Sequence, residues 1–287
     1  MKQFIKNSLN LIVFLIKLIF SGSFRNPIKK ESLDTIAVLA NGPSLKDVIP
    51  NILINEEFKN VDFVVLNFFA FDDIFFKIKP KYYCLADPMF FHENHRIKDV
   101  RKLFSILENK VNWNLSIFIP SPFYNKFVSF SQLKNTNINI IKVNNLVYRG
   151  FPSLRNFFYK KGAAIPSINT VLILALYVSI QMGSKSIRLY GADHDLFKHV
   201  SVNDNNQLCS IDSHFYDEKL TPLKPLRRNR DDKIWKISDF LESMYLMFKS
   251  HDQLASFAIY SNIKIINCTK GSMIDSYERD CNISDLL

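Results

Sequence analysis

The chain has 287 residues, enough for one large α/β domain, and a hydrophobic content of 47% with 26 phenylalanines excludes an intrinsically disordered protein. Its four cysteines are scattered without a CxxC pair, which argues against a zinc site or a disulfide framework and is typical of a reducing compartment. The net charge is +10, but residues 1–30 hold six basic and no acidic side chains, so the excess lies beside an apolar segment and does not indicate nucleic-acid binding.

The first predicted element is an apolar N-terminal helix that contains residues 9–20. A membrane-spanning helix needs about 20 apolar residues, and Lys17 interrupts this run. A cleaved signal peptide is a second interpretation, because small residues follow at positions 21–23. We favour a third, an interfacial anchor whose lysines contact anionic lipid headgroups. Residues 1–30 are therefore assigned to a membrane-associating helix and basic linker, and residues 31–287 to one catalytic domain.

From residue 34 onward, short apolar runs alternate with helical patterns. Several of the apolar runs are continuous, as expected for strands covered on both faces. The predicted strands are 35–40, 61–66, 81–86, 115–119, 138–143, 186–190 and 263–267. The predicted helices are 94–112, 167–182 and 232–258. This alternation predicts an α/β fold with a doubly wound, mostly parallel Rossmann-like sheet, which binds ligands at the carboxyl ends of its strands.

Two stretches interrupt this alternation and are expected to be lids or acceptor-binding loops. Residues 144–166 are aromatic and basic without clear periodicity, and residues 194–231 form a long polar insertion. Long loops inside a compact domain commonly have such roles. The basic side chains of the second stretch would either meet an anionic donor or acceptor or form a solvated face. They are Lys219, Lys224, Arg227, Arg228 and Arg230.

Polar residues follow most of the predicted strands. The turn 41–44 (Asn-Gly-Pro-Ser) comes between the first strand and a helix, an arrangement in which backbone N–H groups and the helix dipole bind phosphate. Each polar strand end alone would be an ordinary loop residue, but in a parallel sheet all of them lie at one edge and can surround one ligand. The substrate-binding candidates are Asn41, Gly42, Pro43, Ser44, Asn67, Asp87, Thr170, Gly191, Ala192, His194 and Ser272.

These elements resemble a known family. The turn from Asn41 to Lys46, Asn67 after a strand, and the element 87–91 are similar to motifs of the Campylobacter-type sialyltransferases, glycosyltransferase family 42. The resemblance covers residues 35 to about 215. It implies a single-domain, type A-like glycosyltransferase fold in which these residues contact a CMP-sugar. Similar turns occur in MptE-like proteins and in proteins of polysaccharide gene clusters.

Two positions depart from the sialyltransferase pattern. Asp87 replaces an asparagine, and an ionised carboxylate cannot donate a hydrogen bond to the substrate. The family's catalytic histidine lies a few residues beyond the position that aligns with His214, where this chain has none until His251. We expect His214 to act as the general base, since a neutral imidazole accepts a hydroxyl proton. His194, directly at a strand end, is the alternative.

The catalytic candidates are His214, Asp193 and Tyr216. Tyr216 would stabilise the leaving phosphate by a hydrogen bond. A CMP leaving group has a single phosphate, so no metal or other cofactor is expected. If a divalent cation is used, Asp193 and Asp195 are its candidate ligands.

The sequence therefore predicts a glycosyltransferase of bacterial surface polysaccharide assembly (lipooligosaccharide, O-antigen or capsule) at the cytoplasmic face of the inner membrane. It would transfer a sialic-acid-like sugar from a CMP donor to a glycan or lipid-linked oligosaccharide. Two other functions stay open. One is an MptE-like transfer of diphosphate from ATP, and the other is non-catalytic binding of a nucleotide sugar. Assembly into a homo-oligomer is compatible with each of them, and nucleic acid is not an expected partner.

Overall fold

A parallel sheet of eight strands forms the centre of the protein, whose computed structural model describes residues 1–21, 28–31, 33–94, 96–210, 223–228 and 233–280. A second, antiparallel sheet contains three short strands, β7 to β9 in the order below. The strands in chain order are β1 (Thr35–Leu39), β2 (Asp62–Leu66), β3 (Tyr82–Cys84), β4 (Leu115–Pro120), β5 (Ile138–Val143), β6 (Ser186–Tyr190), β7 (Val200–Val202), β8 (Leu208–Ser210), β9 (Lys224–Pro225), β10 (Lys264–Asn267) and β11 (Glu278–Arg279).

Helices cover both faces of the large sheet. In chain order they are α1 (Lys2–Ser21), α2 (Leu45–Ile52), α3 (Ile74–Ile78), α4 (Ile97–Lys110), α5 (Tyr124–Ser131), α6 (Pro152–Lys160), α7 (Val171–Met182) and α8 (Ile237–Tyr260). Successive side chains of a strand point to opposite faces. Ile36 and Val38 of β1 therefore pack with α1, α6, α7 and α8, and Ala37 and Leu39 pack with α2 to α5.

The order of strands in the large sheet is β11-β10-β6-β1-β2-β3-β4-β5. From β1 the chain adds strands in one direction as far as β5, and then returns to place β6 on the other side of β1. The strand order thus reverses between β1 and β6, and ligands of open α/β sheets bind at the carboxyl ends of the strands at such a switch point. The predicted doubly wound, Rossmann-like fold is confirmed.

The described parts of the two stretches expected to be loops contain regular structure. Residues 144–166 contain α6, and its Tyr159 is buried and donates a hydrogen bond to Gln253 of α8 at 2.8 Å. The prediction of a loop there is wrong, because aromatic residues around α6 pack on different neighbours and obscure the helical periodicity. The described part of 194–231 forms a short 3₁₀ turn followed by β7, β8 and β9.

Helix α1 is long and apolar enough to cross a membrane, by length and composition, and a signal sequence at an N-terminus would satisfy the same criterion. It packs on the folded domain along one narrow face, where Phe14 and Leu18 are buried. The Phe14 ring lies 5.0 Å from the Tyr148 ring and 4.8 Å from the Phe158 ring, centre to centre. Leu11 is partly buried beside them, and the other apolar side chains of α1 are exposed.

Candidate functional site

A cavity of about 350 Å³ lies at the switch point of the sheet. Its walls are the segments that follow β1, β2 and β6, the start of α7, and two methionines of α8. The residues of this lining that the sequence pattern predicts are Asn41, Gly42, Pro43, Asn67, Thr170, Gly191, Asp193 and His194. Residues from four separate parts of the chain thus meet at one place, as expected from the polar strand ends.

The turn after β1 and the segment after β6 fit closely together. The N–H of Gly42 donates to the carbonyl oxygen of Gly191 at 2.8 Å, and the hydroxyl of Ser44 donates to Oδ2 of Asp193 at 2.8 Å. A β-carbon on Gly42 would lie 1.8 Å from Asp193 Oδ2 and 2.5 Å from the Gly191 oxygen. Glycine is therefore required at position 42, and Ser44 acts on the cavity through Asp193.

Two asparagine side chains present unpaired acceptors beside the cavity. Asn41 donates through Nδ2 to the carbonyl oxygen of Leu66 at 3.1 Å, and Asn67 donates through Nδ2 to Oδ2 of Asp87 at 2.6 Å. Their Oδ1 atoms are buried and accept no hydrogen bond from the residues that the structure describes. A buried acceptor without a donor costs about 1–3 kcal/mol. Both residues line the cavity, and a rotation of each amide toward it would let hydroxyl or amino groups of a ligand donate to these oxygens.

Asp87 stands behind Asn67 and does not line the cavity. As an acceptor it fixes the Asn67 amide, so its inability to donate to a ligand does not prevent it from contributing to the site. The backbone of Asn67 has a φ of 44°, in the left-handed region, and its carbonyl oxygen accepts a hydrogen bond from the Tyr83 hydroxyl. Asparagine tolerates this conformation better than most residues.

The N-terminus of α7 faces the cavity through Asn169, Thr170 and Val171. The first N–H groups of a helix have no partner within the helix, and the helix dipole places positive potential at this end. The Thr170 side chain makes no capping hydrogen bond. The end of α7 therefore offers an anion the electrostatic environment that phosphate groups prefer.

The segment after β6 contributes acidic and imidazole groups to the cavity wall. Burial raises the pKa of Asp193, and the Ser44 hydrogen bond partly opposes this. Burial lowers the pKa of His194 to about 4, partly opposed by Asp195, so the ring is neutral near pH 7. Asp195 Oδ2 lies 3.4 Å from Nε2 of His199, which also lines the cavity. His194 has a φ of 51°, and such backbone strain is concentrated at functional sites.

Other predicted site residues lie elsewhere. Ala192 is buried, and Ser272 is buried behind it, where its hydroxyl donates to the Ala192 carbonyl oxygen at 2.6 Å. The two support the segment after β6 and do not line the cavity, because the 267–275 loop packs beneath it. Lys224, Arg227 and Arg228 are described but do not line the cavity. The candidates that lie outside the described residues are His214, Tyr216, Lys219 and Arg230.

The sequence reasoning did not assign His251, Met244 and Met247 of α8 to the site. Met244 and Met247 line the cavity, and His251 lies behind His194 with 5.1 Å between their ring centres. A signal was present, because His251 falls at helical spacing from the buried residues Met247 and Leu254. A histidine on the apolar face of a helix is a candidate for a buried polar contact.

Among the described residues, no group of three or more histidine, cysteine, aspartate or glutamate side chains is placed to hold a metal ion. The described lining of the cavity also has no lysine or arginine. The fold and the cavity define an α/β protein with a cavity at the switch point of a parallel sheet. No family model matches the chain, and no curated protein matches it significantly.

Proposed function

We propose that this protein is a glycosyltransferase of bacterial surface polysaccharide assembly that uses a CMP-activated, sialic-acid-like sugar. The observation that carries the proposal is the composition of the cavity at the switch point. It combines a helix N-terminus for one phosphate with the unpaired Oδ1 atoms of Asn41 and Asn67 for donor groups of the ligand. The resemblance of the 41–46 turn to the Campylobacter-type sialyltransferases supplies the identity of the nucleotide.

The charge of the cavity favours a ligand with one phosphate over one with two or three. The described lining offers no basic side chain to neutralise a longer phosphate chain, and Asp193 adds a carboxylate to it. A carboxylate so placed would accept hydrogen bonds from the hydroxyls of a ribose or a sugar. These features support a nucleoside monophosphate donor over the ATP that an MptE-like pyrophosphokinase would use.

Transfer needs a base that removes the proton of the acceptor hydroxyl. His214 is the base implied by the resemblance, and Tyr216 would assist the leaving phosphate. Within the described residues, His194 is a neutral imidazole in the wall of the cavity. Its position in the wall makes His194 the alternative candidate for the base.

We also propose that α1 holds the enzyme on the cytoplasmic face of the membrane, where a lipid-linked acceptor is accessible. One face of α1 is fixed to the domain by Leu11, Phe14 and Leu18, while its other apolar side chains are exposed beside a basic segment. An apolar helix that lies on a domain in this way suits the interfacial plane of a bilayer.

Calorimetric titration of the full chain with CMP, UDP and ATP, each with and without Mg²⁺, tests the nucleotide assignment. The proposal expects CMP to bind without Mg²⁺ and more tightly than the other two. Binding of ATP with Mg²⁺ alone would overturn it in favour of diphosphate transfer. Sugar transfer is then measured by mass spectrometry with CMP-sugars and a membrane extract, and CMP binding without transfer would indicate a non-catalytic protein.

A matched pair of variants ties binding to the cavity. Asn67→Ala removes an unpaired acceptor and also replaces an asparagine whose backbone is in the left-handed region. This variant should weaken CMP binding by about tenfold, or about 1.4 kcal/mol. Asn262→Ala removes an exposed asparagine with a similar φ of 57° on the loop after α8. It carries the same backbone strain and should leave binding unchanged.

A further inference from the structure

Two imidazoles meet at the wall of the cavity, one partly buried and the other fully buried. His194 follows β6 and lines the cavity, and His251 of α8 is fully buried beside it. Their ring centres are 5.1 Å apart with an interplanar angle of 66°. The Nε2 atom of each ring is buried and makes no hydrogen bond with the residues that the structure describes. Two buried nitrogens without partners would be costly, unless one donates a hydrogen bond to the other.

A buried tyrosine contacts the other ring nitrogen of His251. Nδ1 of His251 lies 2.8 Å from the hydroxyl of Tyr277, which is buried as well. Burial, with a further contribution from Asp252, raises the pKa of Tyr277 well above its ordinary value, so the phenol stays protonated. Burial lowers the pKa of His251 well below its usual range, and the neighbouring His194 adds to this. The three groups are thus neutral at pH 7.

We propose that His194, His251 and Tyr277 form a proton relay, in which His194 is the catalytic base, His251 shares the proton that it takes up, and Tyr277 holds His251 in place. Imidazoles that share an N–H···N hydrogen bond of about 3 Å have ring centres about 5 Å apart. A small rotation of either ring therefore allows one hydrogen bond to satisfy both Nε2 atoms. With Nε2 turned inward, Nδ1 of His194 is the nitrogen left to face the cavity.

The transfer step, which rests on the proposed function, balances with this arrangement. The acceptor oxygen bonds to the anomeric carbon of the donor sugar as the bond from that carbon to the phosphate oxygen breaks, and the electron pair leaves with CMP. The acceptor's proton goes to Nδ1 of His194, and the proton on His194 Nε2 moves toward Nε2 of His251. His251 keeps its own Nδ1 proton on the Tyr277 oxygen.

Sharing the charge explains how a buried ring can act as a base. A single buried imidazole resists protonation because burial disfavours the charged form. Two rings that share one proton spread the positive charge, and Asp195 favours that charge at the cavity end. This assignment gives His251 and Tyr277 a positioning role and leaves His194 as the group that touches substrate.

The kinetic test compares His251→Gln and Tyr277→Phe with His92→Gln, an exposed histidine outside the cavity. We expect His251→Gln to lower kcat by about 100-fold with little change in the KM for the donor. It should also move the acidic limb of the pH profile to lower pH. Tyr277→Phe keeps the packing and should shift the same limb less. An unchanged pH profile in both variants would overturn the relay, as would loss of transfer in His214→Ala with His194→Gln fully active.

A readout without substrate separates the relay from the proposed function. In ¹⁵N-histidine NMR of the full chain, the relay expects His194 and His251 to titrate together and His251→Gln to shift the titration of His194. Coupled titration in a protein that transfers no sugar would support the hydrogen bond between His194 and His251 and overturn the glycosyltransferase assignment. Independent titration of the two rings in an active enzyme would overturn the relay alone. Melting temperatures of the variants check that each one folds.

Discussion

Gly42 lies where the first and sixth strands end together, and it shows how closely the two ends fit. A β-carbon there would overlap Asp193 Oδ2 and the carbonyl oxygen of Gly191, and the second of these is backbone that cannot move aside. We expect Gly42→Ala to displace Asp193 from Ser44, to destabilise the fold by about 1–3 kcal/mol, and to abolish CMP binding. Urea unfolding and calorimetry measure the two effects.

Gly271→Ala is the matched control for this prediction. Gly271 has a φ of 72°, and its added β-carbon would have no atom within 4 Å. This substitution should cost about 1 kcal/mol of backbone strain and leave CMP binding intact. Equal loss of binding in both variants would show that CMP binding is lost through general instability of the fold and does not depend on the close contact between Gly42 and Asp193.

The pKa of His194 also predicts how stability depends on pH. In the unfolded chain the ring titrates near 6.5, and in the folded protein burial lowers the pKa to about 4. The unfolded state therefore binds more protons between these values, and stability is full above pH 6.5 and falls as the pH drops toward 4. The loss from this ring is at most about 3 kcal/mol. The raised pKa of Asp193 acts in the opposite sense and reduces the net slope.

Urea unfolding at pH 7.5 and pH 5.0 measures this dependence. The wild-type chain should lose more stability between the two pH values than His194→Gln, which has no imidazole to protonate there. His92→Gln should behave as the wild type, because His92 is exposed. A slope identical in all three proteins would contradict the assignment of the buried histidine.

Among the elements, the strands could be predicted far better than the site. Continuous apolar runs such as 36–40 identify strands of a buried parallel sheet, because no other short element needs to be apolar on both faces. The helix α6 could not be predicted, because its aromatic residues contact both α1 and α8. The pairing of His194 with His251 could not be predicted at all, because it depends on how α8 packs against the end of β6, and no local pattern encodes that packing.

The two faces of helix α1 are expected to have different roles, the exposed face in membrane binding and the buried face in packing on the domain. Ile12 and Ile16 are 54% and 48% exposed, whereas Phe14 between them is buried against the domain. The double variant Ile12→Asp and Ile16→Asp should abolish co-sedimentation with vesicles that contain phosphatidylglycerol, with a change in domain stability of about 0.5 kcal/mol or less. Phe14→Ala loses about 3 kcal/mol of packing but keeps the outward face, and should still co-sediment.

Mass spectrometry of the membrane-bound protein completes this test. An anchor keeps residues 1–21, whereas a cleaved signal sequence would leave a shorter chain. Co-sedimentation of the double aspartate variant at the wild-type level would contradict contact between the exposed face of α1 and lipid.

For the whole molecule, the position of the cavity predicts which parts of the sheet respond to a ligand. CMP would contact the ends of β1, β2 and β6 and the start of α7, which come together only where the strand order reverses. A ligand bound there links the part of the sheet from β2 to β5 with the part formed by β6, β10 and β11. Local opening of either part would then have to release the ligand, which adds to its free energy.

Hydrogen exchange of the full chain with and without saturating CMP tests this prediction. We expect slower exchange in the segments after β1, β2 and β6 and in the first turn of α7. A ligand present at 100 times its dissociation constant adds about 2.7 kcal/mol to openings that release it. The edge strands β5 and β11 lie at the two ends of the sheet, where fraying of one strand does not release the ligand, so they should exchange at unchanged rates. Protection concentrated at either edge, or in α1, would place the nucleotide elsewhere and contradict the assignment of the cavity.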